Sequence, residues 1–192
     1  MFAYLEGNLT YKSPSLLFLD VHGVGYELNI TLQTYAHIQH SEKCRLYTHL
    51  QVREDAWVLY GFAEEQERAT FRLLLNINGV GAATARIILS SLTTEELERA
   101  IWHEDSKTLE RVKGIGNKTA QRIILELKGK ILKQKDYTLP AAAAHNTIPE
   151  DALIALINLG INKAMAENAI KKIDNASALT VEELIKQALR AL

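Results

Sequence analysis

From Met1 to about Ala63 the chain is written in short apolar runs: FAYLEGNLTY, SLLFLDV, GYELNIT, CRLYTHLQV and AWVLYGF. They are rich in β-branched and aromatic residues, often alternate in polarity, and are separated by Lys-Ser-Pro, His-Gly-Val-Gly and Arg-Glu-Asp breaks. A period of two turns one face of each run toward a core and the other toward solvent, which predicts five strands. Between the third and fourth, LQTYAHIQH loses that period and leaves room for one short helix. Five strands with a helix in that position fit a small barrel of the OB-fold type. His22-Gly23-Val24-Gly25 reads as a hairpin turn within it, because Tyr26, Leu28 and Ile30 continue the strand alternation.

At Glu64 the period changes. EEQERATFRLLLNI sets Phe71, Leu74 and Leu75 on one helical face with charges opposite, and everything afterwards reads as helix. The spacing predicts helices over roughly 65–76, 82–91, 94–103, 106–112 and 117–133, with Thr94 as N-cap of the third and Ser106 of the fourth. TLPAAAAHNTIP then breaks the series, since Pro140 and Pro149 bracket a stretch with no large apolar residue except Ile148. A helix through the four alanines is the alternative, but so short a helix with nothing to pack against is marginal in water. Beyond it, EDALIALINLG, KAMAENAIKKI and TVEELIKQALRAL predict three amphipathic helices, the last opened by a capping box of Thr180 and Glu183. The expected fold class is multidomain, β then α. It comprises a barrel over 1–63, a helical region over 64–137, a linker over 138–149 and a small three-helix, UBA-like domain over 150–192.

Composition narrows the chemistry. The formal net charge is −1, so any surface for nucleic acid or membrane has to come from local segregation of charge. The single cysteine, Cys44, excludes an internal disulfide and fits a reducing compartment. No run reaches the roughly 18 apolar residues of a membrane span, and the expected location is the cytoplasm.

Two stretches of the helical region repeat each other: NGVGAATARI at 78–87 and KGIGNKTAQRI at 113–123. In each, two glycines flank one aliphatic residue and a Thr-Ala pair follows. Gly79 and Gly114 stand where a helix needs a left-handed C-terminal stop. Gly81 and Gly116 open the next helix, where the missing Cβ permits close approach and unpaired N–H groups attract phosphate. Val80 and Ile115 can tuck inward and fix the loops. A dinucleotide fingerprint fails, because Thr84 and Thr119 occupy the third glycine's place and no strand precedes either motif. A nucleotide-binding loop needs glycine directly before its lysine, and Lys118 follows Asn117. Two ordinary helix-to-helix turns remain the alternative to two phosphate-binding loops. Charge favours the second: between Arg111 and Lys135 the basic residues are Arg111, Lys113, Lys118, Arg122, Lys128, Lys130, Lys133 and Lys135, against the single acid Glu126. Lys118 and Arg122 lie one turn apart beside the loop and could contact one strand. With no element suited to the major groove, binding would be independent of sequence and dependent on salt.

These residues together resemble the RuvA family of bacterial Holliday-junction-binding proteins. The match spans nearly the whole chain: a barrel with VHGVGYEL, the hairpin REDAWVLYGF, the paired helix-hairpin-helix loops NGVG and KGIGNKTAQRIILELK, a linker, and ALINLGINKAMAENAI followed by LIKQALRAL. The resemblance implies a homotetramer, single or doubled face to face, that holds an open four-way junction and recruits the RuvB hexameric ATPase. That motor drives branch migration in recombination and repair, and RuvC resolves the junction. It implies DNA contacts at Gly79, Val80, Gly81, Arg86, Gly114, Ile115, Gly116, Lys118 and Arg122, and an acidic pin at Glu54 and Asp55 that keeps strands apart. It also implies a RuvB-docking surface at Leu156, Leu159, Ile161 and Leu189. The first loop departs from the family pattern at Ala83 and the second at Asn117, positions where relatives often carry lysine.

No cofactor, metal or catalytic residue is expected. His37 and His40 have helical spacing but lack further ligands. A repair glycosylase or nuclease would need a catalytic Asp or Lys in a pocket beside the hairpin, and no such pairing is evident. An RNA-binding barrel stacking bases on Tyr47, Trp57 and Tyr60 is the other alternative.

Overall fold

The computed structural model describes residues 2–135, 148–173 and 179–191, with backbone alone over 129–135. Five strands, β1 (Tyr4–Lys12), β2 (Leu16–Val21), β3 (Val24–Ile30), β4 (Lys43–Val52) and β5 (Trp57–Phe62), close a barrel in the order β1-β2-β3-β5-β4. All neighbours are antiparallel except β3 and β5. The inward positions Leu5, Leu17, Leu19, Leu28, Ile30, Leu46 and Leu59 form its core. Helix α1 (Leu32–Ile38) fills the expected gap before β4. His22 and Gly23, both at positive φ, make the two-residue turn between β2 and β3.

The helical region holds α2 (Glu65–Leu75), α3 (Ala82–Ser91), α4 (Thr94–Trp102), α5 (Ser106–Glu110) and α6 (Asn117–Lys135). Two predicted caps move by one residue. Thr93, not Thr94, caps α4, because it stands three positions before Glu96 and the two exchange hydrogen bonds in a capping box. Asp105, not Ser106, caps α5, its carboxylate accepting from the backbone N–H and hydroxyl of Thr108.

Residues 1–137 form one compact unit, and β5 explains why. Its alternate residues face opposite ways: Leu59 points into the barrel core, while Tyr60 and Phe62 join the helical core with Phe71, Leu74 and Leu97. The rings of Tyr60 and Phe62 lie 5.1 and 4.9 Å from that of Phe71. Polar bonds fix the same join. The buried Arg68 on α2 donates to the carbonyl of Thr48 on β4 at 3.2 Å, and also to that of Ala3. Glu67, also buried, accepts from the hydroxyls of Thr31 and Thr34 that frame α1. Burial holds the Glu67 carboxyl above its ordinary pKa, and the two threonine hydroxyls oppose that shift.

The second unit contains α7 (Ile148–Asn158), α8 (Lys163–Lys171) and α9 (Val181–Ala191), packed around Ala152, Leu156, Ala166, Ala169, Leu184 and Ala188. Pro149 sits in the first turn of α7, where its missing N–H costs no helical bond. Of the expected linker, residues 138–147 lie outside the described residues. The Thr180 and Glu183 capping box forms as predicted. No helix among the described residues is long and apolar enough to cross a membrane.

Candidate nucleic-acid interface

The two repeated stretches build the same object twice. Gly79 and Gly114 take φ of +90° and +89°, a conformation costly for residues with a Cβ. The next amides turn back identically: Val80 N–H donates to Ile77 O and Ile115 N–H to Val112 O, each at 3.0 Å. The new helices then start in register, with Ala85 N–H on Gly81 O and Ala120 N–H on Gly116 O, each at 2.9 Å. Val80 and Ile115 are buried, and so are Ala85, Ile88, Ala120 and Ile123 of the following helices. The repeated alanine and isoleucine positions are therefore core packing that holds the loops. Because Val80 and Ile115 spend both side chain and N–H inside the fold, their contribution to a ligand is restricted to shaping the backbone.

Gly79, Gly81, Gly114 and Gly116 are exposed between those buried anchors, and a Cβ built on any of them meets nothing within 4 Å. The chain's own packing thus gives no reason for glycine at 81 and 116. No side chain caps α3 at Gly81, so its first-turn N–H groups stay open.

Charged neighbours differ in how far the fold engages them. Lys118, Arg111 and Lys113 are exposed. Arg122 is exposed too, and its guanidinium donates to the carbonyl of Asn78 at 3.1 Å, tying the helix of the second motif to the turn of the first. Arg86 is held by the barrel, donating to the Asn29 side chain at 2.6 Å and to Ser15 O at 3.2 Å. It thereby joins the helices to the barrel. Asn117 bonds Glu110 at 2.8 Å. Lys128 on α6 pairs with Glu104 in the α4–α5 turn at 2.5 Å, and that bond lowers the Glu104 pKa; this pairing was not legible from the basic run. The side chains of Lys130, Lys133 and Lys135 lie outside the described residues.

Glu54 and Asp55 stand fully out at the tip of the β4–β5 hairpin, which Arg53 N–H closes on Ala56 O at 2.9 Å. Of the three aromatics considered for stacking, Tyr60 is core, Tyr47 lies under the Arg68 guanidinium at 5.4 Å, and Trp57 is exposed.

In the second unit the four expected docking residues separate. Leu156 is fully buried in the domain core, so its side chain cannot meet a partner in the folded state. It serves the neighbouring turn instead: Gly160 at φ +90° with Ile161 N–H on Leu156 O and Gly160 N–H on Ile157 O is a Schellman stop for α7. That stop presents Leu159 outward at 64% exposure, while Ile161 is half-buried and Leu189 exposed. Met165, absent from the expected set, is exposed as well. Among the described residues no cluster of His, Cys, Asp and Glu could hold a metal ion.

Residues 1–61 match the family described as RuvA N terminal domain, residues 71–130 the SAM-like helix-hairpin-helix tandem, and residues 149–192 the RuvA C-terminal domain. Among similar chains, the Holliday junction branch migration complex subunit RuvA of Christiangramia forsetii is 47% identical over 193 residues, covering 100% of both chains. The subunit of the same name from Cytophaga hutchinsonii is 43% identical over 197 residues, covering 99% of each. That of Amoebophilus asiaticus is 46% identical over 193 residues, covering 99% of this chain and 100% of its own.

Proposed function

The chain belongs to the RuvA family, and from that premise we propose that it binds four-way DNA junctions by their shape and serves as the non-catalytic DNA-holding subunit of a branch-migration complex. The observation that carries this is the duplicated loop: two turns with matching backbone hydrogen bonds, each with an exposed glycine at the helix start where no protein atom requires one. Two such loops grip the sugar-phosphate backbone at two points through backbone amides, which carry no information about base identity. Lys118 and Arg122 add the electrostatic part, and Arg122 in addition fixes the spacing of the loops. Ala83 and Asn117 supply no charge, so binding is weaker, and its dependence on salt shallower, than in a relative with lysine there.

A homotetramer assembles four such pairs around one junction, with the four hairpin tips converging at its centre. Glu54 and Asp55 there repel phosphates and turn strands into separate arms. The C-terminal unit recruits the RuvB motor ATPase through Leu159, Leu189 and the edge of Ile161, and RuvC cleaves the junction held by the assembly. The likeness of the whole chain to relatives named as branch-migration subunits supports this division of labour. Competition among a synthetic four-way junction, linear duplex and single strand, repeated over a salt series, tests it. A strong preference for the junction is expected; equal affinity for all three overturns it.

A further inference from the structure

The β4–β5 hairpin carries an apolar strip that the acidic tip does not explain. Trp57 is 77% exposed and Val52, its direct cross-strand partner, 62%. Both stand on the strand face that, further in, supplies Leu46, Leu50 and Leu59 to the barrel core. Past the Leu50 and Leu59 pair the barrel ends, and the same face runs on without cover. A tryptophan side chain left in water forgoes one of the largest burial gains any residue can make.

The chemistry around the strip limits what could cover it. Two side chains fall far short of the roughly 800 Å² per partner that a specific protein interface buries. Glu54 and Asp55 repel phosphate, but their oxygens accept readily from the N–H groups of a base edge. An aromatic face next to carboxylate acceptors fits a nucleobase better than any part of the DNA backbone. We propose that Trp57 is a stacking residue that receives a base at the crossover of a four-way junction, with Val52 as its apolar backing. The proposal rests on the junction-binding function above and adds to the hairpin an attractive element beside its repulsive one. Carboxylates deflect the phosphates while the indole holds a base that has lost its stacking neighbour. Both effects favour a junction opened at its centre over linear duplex.

Titration of the full-length chain with a four-way junction, read by tryptophan emission, tests this directly, with Trp57→Phe assigning the signal because Trp102 remains. Quenching on junction binding that disappears in Trp57→Phe is expected. Trp57→Ala should weaken junction binding about 5-fold or more, with linear duplex unchanged and Trp57→Phe retaining most of the affinity. Junction binding without quenching, with Trp57→Ala binding as tightly as the parent, overturns stacking and leaves the junction function standing. A parent chain that does not prefer the junction removes both.

Discussion

The guanidinium of Arg122 on α6 donates to the backbone carbonyl of Asn78, 3.1 Å away in the turn before α3. One exposed side chain thereby joins the two hairpin motifs, and a basic residue placed to contact phosphate also sets where the other loop lies.

This double role predicts different outcomes for two substitutions. Arg122→Lys keeps the charge but loses the planar fork that reaches the carbonyl, so junction affinity should fall several-fold with the salt slope retained. Arg122→Ala should lower affinity further and reduce the slope by about 1. Titrations at several salt concentrations separate the two; a lysine variant equal to the parent would mean that charge alone matters.

The second glycines should be dispensable for folding and needed for binding. At φ −85° Gly81 tolerates a side chain, and an added Cβ meets no protein atom at either position. Gly81→Ala with Gly116→Ala should cost no more than about 1 kcal/mol per site in thermal unfolding, yet weaken junction binding at least tenfold, an order-of-magnitude expectation for blocked phosphate approach. Unchanged affinity in the folded double variant would rule the loops out as the contact.

Removing the hairpin carboxylates should tighten binding. Glu54→Gln with Asp55→Asn deletes repulsion at an exposed tip without disturbing the barrel. Affinity for junction and duplex should both rise, with discrimination between them reduced. Competition binding measures both quantities, and a loss of affinity would contradict the repulsive role.

Leu156 and Leu159 should behave in opposite ways although they stand only three positions apart. Leu156→Ala opens a cavity in a small core and should cost about 2–5 kcal/mol. Leu159→Ala should leave unfolding within about 0.5 kcal/mol of the parent while weakening capture of the motor ATPase. Paired denaturation and pull-down measurements check this.

Glu67 makes a prediction about pH. Its folded pKa is raised by burial, so the folded state holds the proton more tightly than the unfolded chain. The resulting penalty is fully present above the folded value and disappears as pH falls to the ordinary carboxylate range near about 4.3. Glu67→Gln removes the titration, so its melting temperature relative to the parent should climb as pH rises from 4 to 8. A difference constant with pH would show that the carboxyl is not perturbed.

Much of this was legible in the sequence because it is local. The alternation of the five strands, the change of period at Glu64, the left-handed stops at Gly79 and Gly114, and the Thr180 capping box each depend on residues a few positions apart. Periodicity and backbone sterics act at that range. Even the shifted caps at Thr93 and Asp105 missed by only one position, since adjacent Thr-Thr and Asp-Ser pairs offer competing oxygens and the reach to N3 decides between them.

Side-chain allegiance across the fold was not legible. Arg86 bonding Asn29, Lys128 pairing with Glu104, Arg122 reaching Asn78 and Tyr60 joining the helical core all connect residues distant in sequence. Nor could hydrophobicity tell buried Leu156 from exposed Leu159, because both are leucines near the end of one helix and only the packing of α8 and α9 assigns the inner face. Which elements form and where they turn is written in neighbouring residues, through forces that act over a few positions. Which polar groups are already engaged and which apolar ones remain open follows only from the assembled fold, because those outcomes depend on what the folded chain brings alongside.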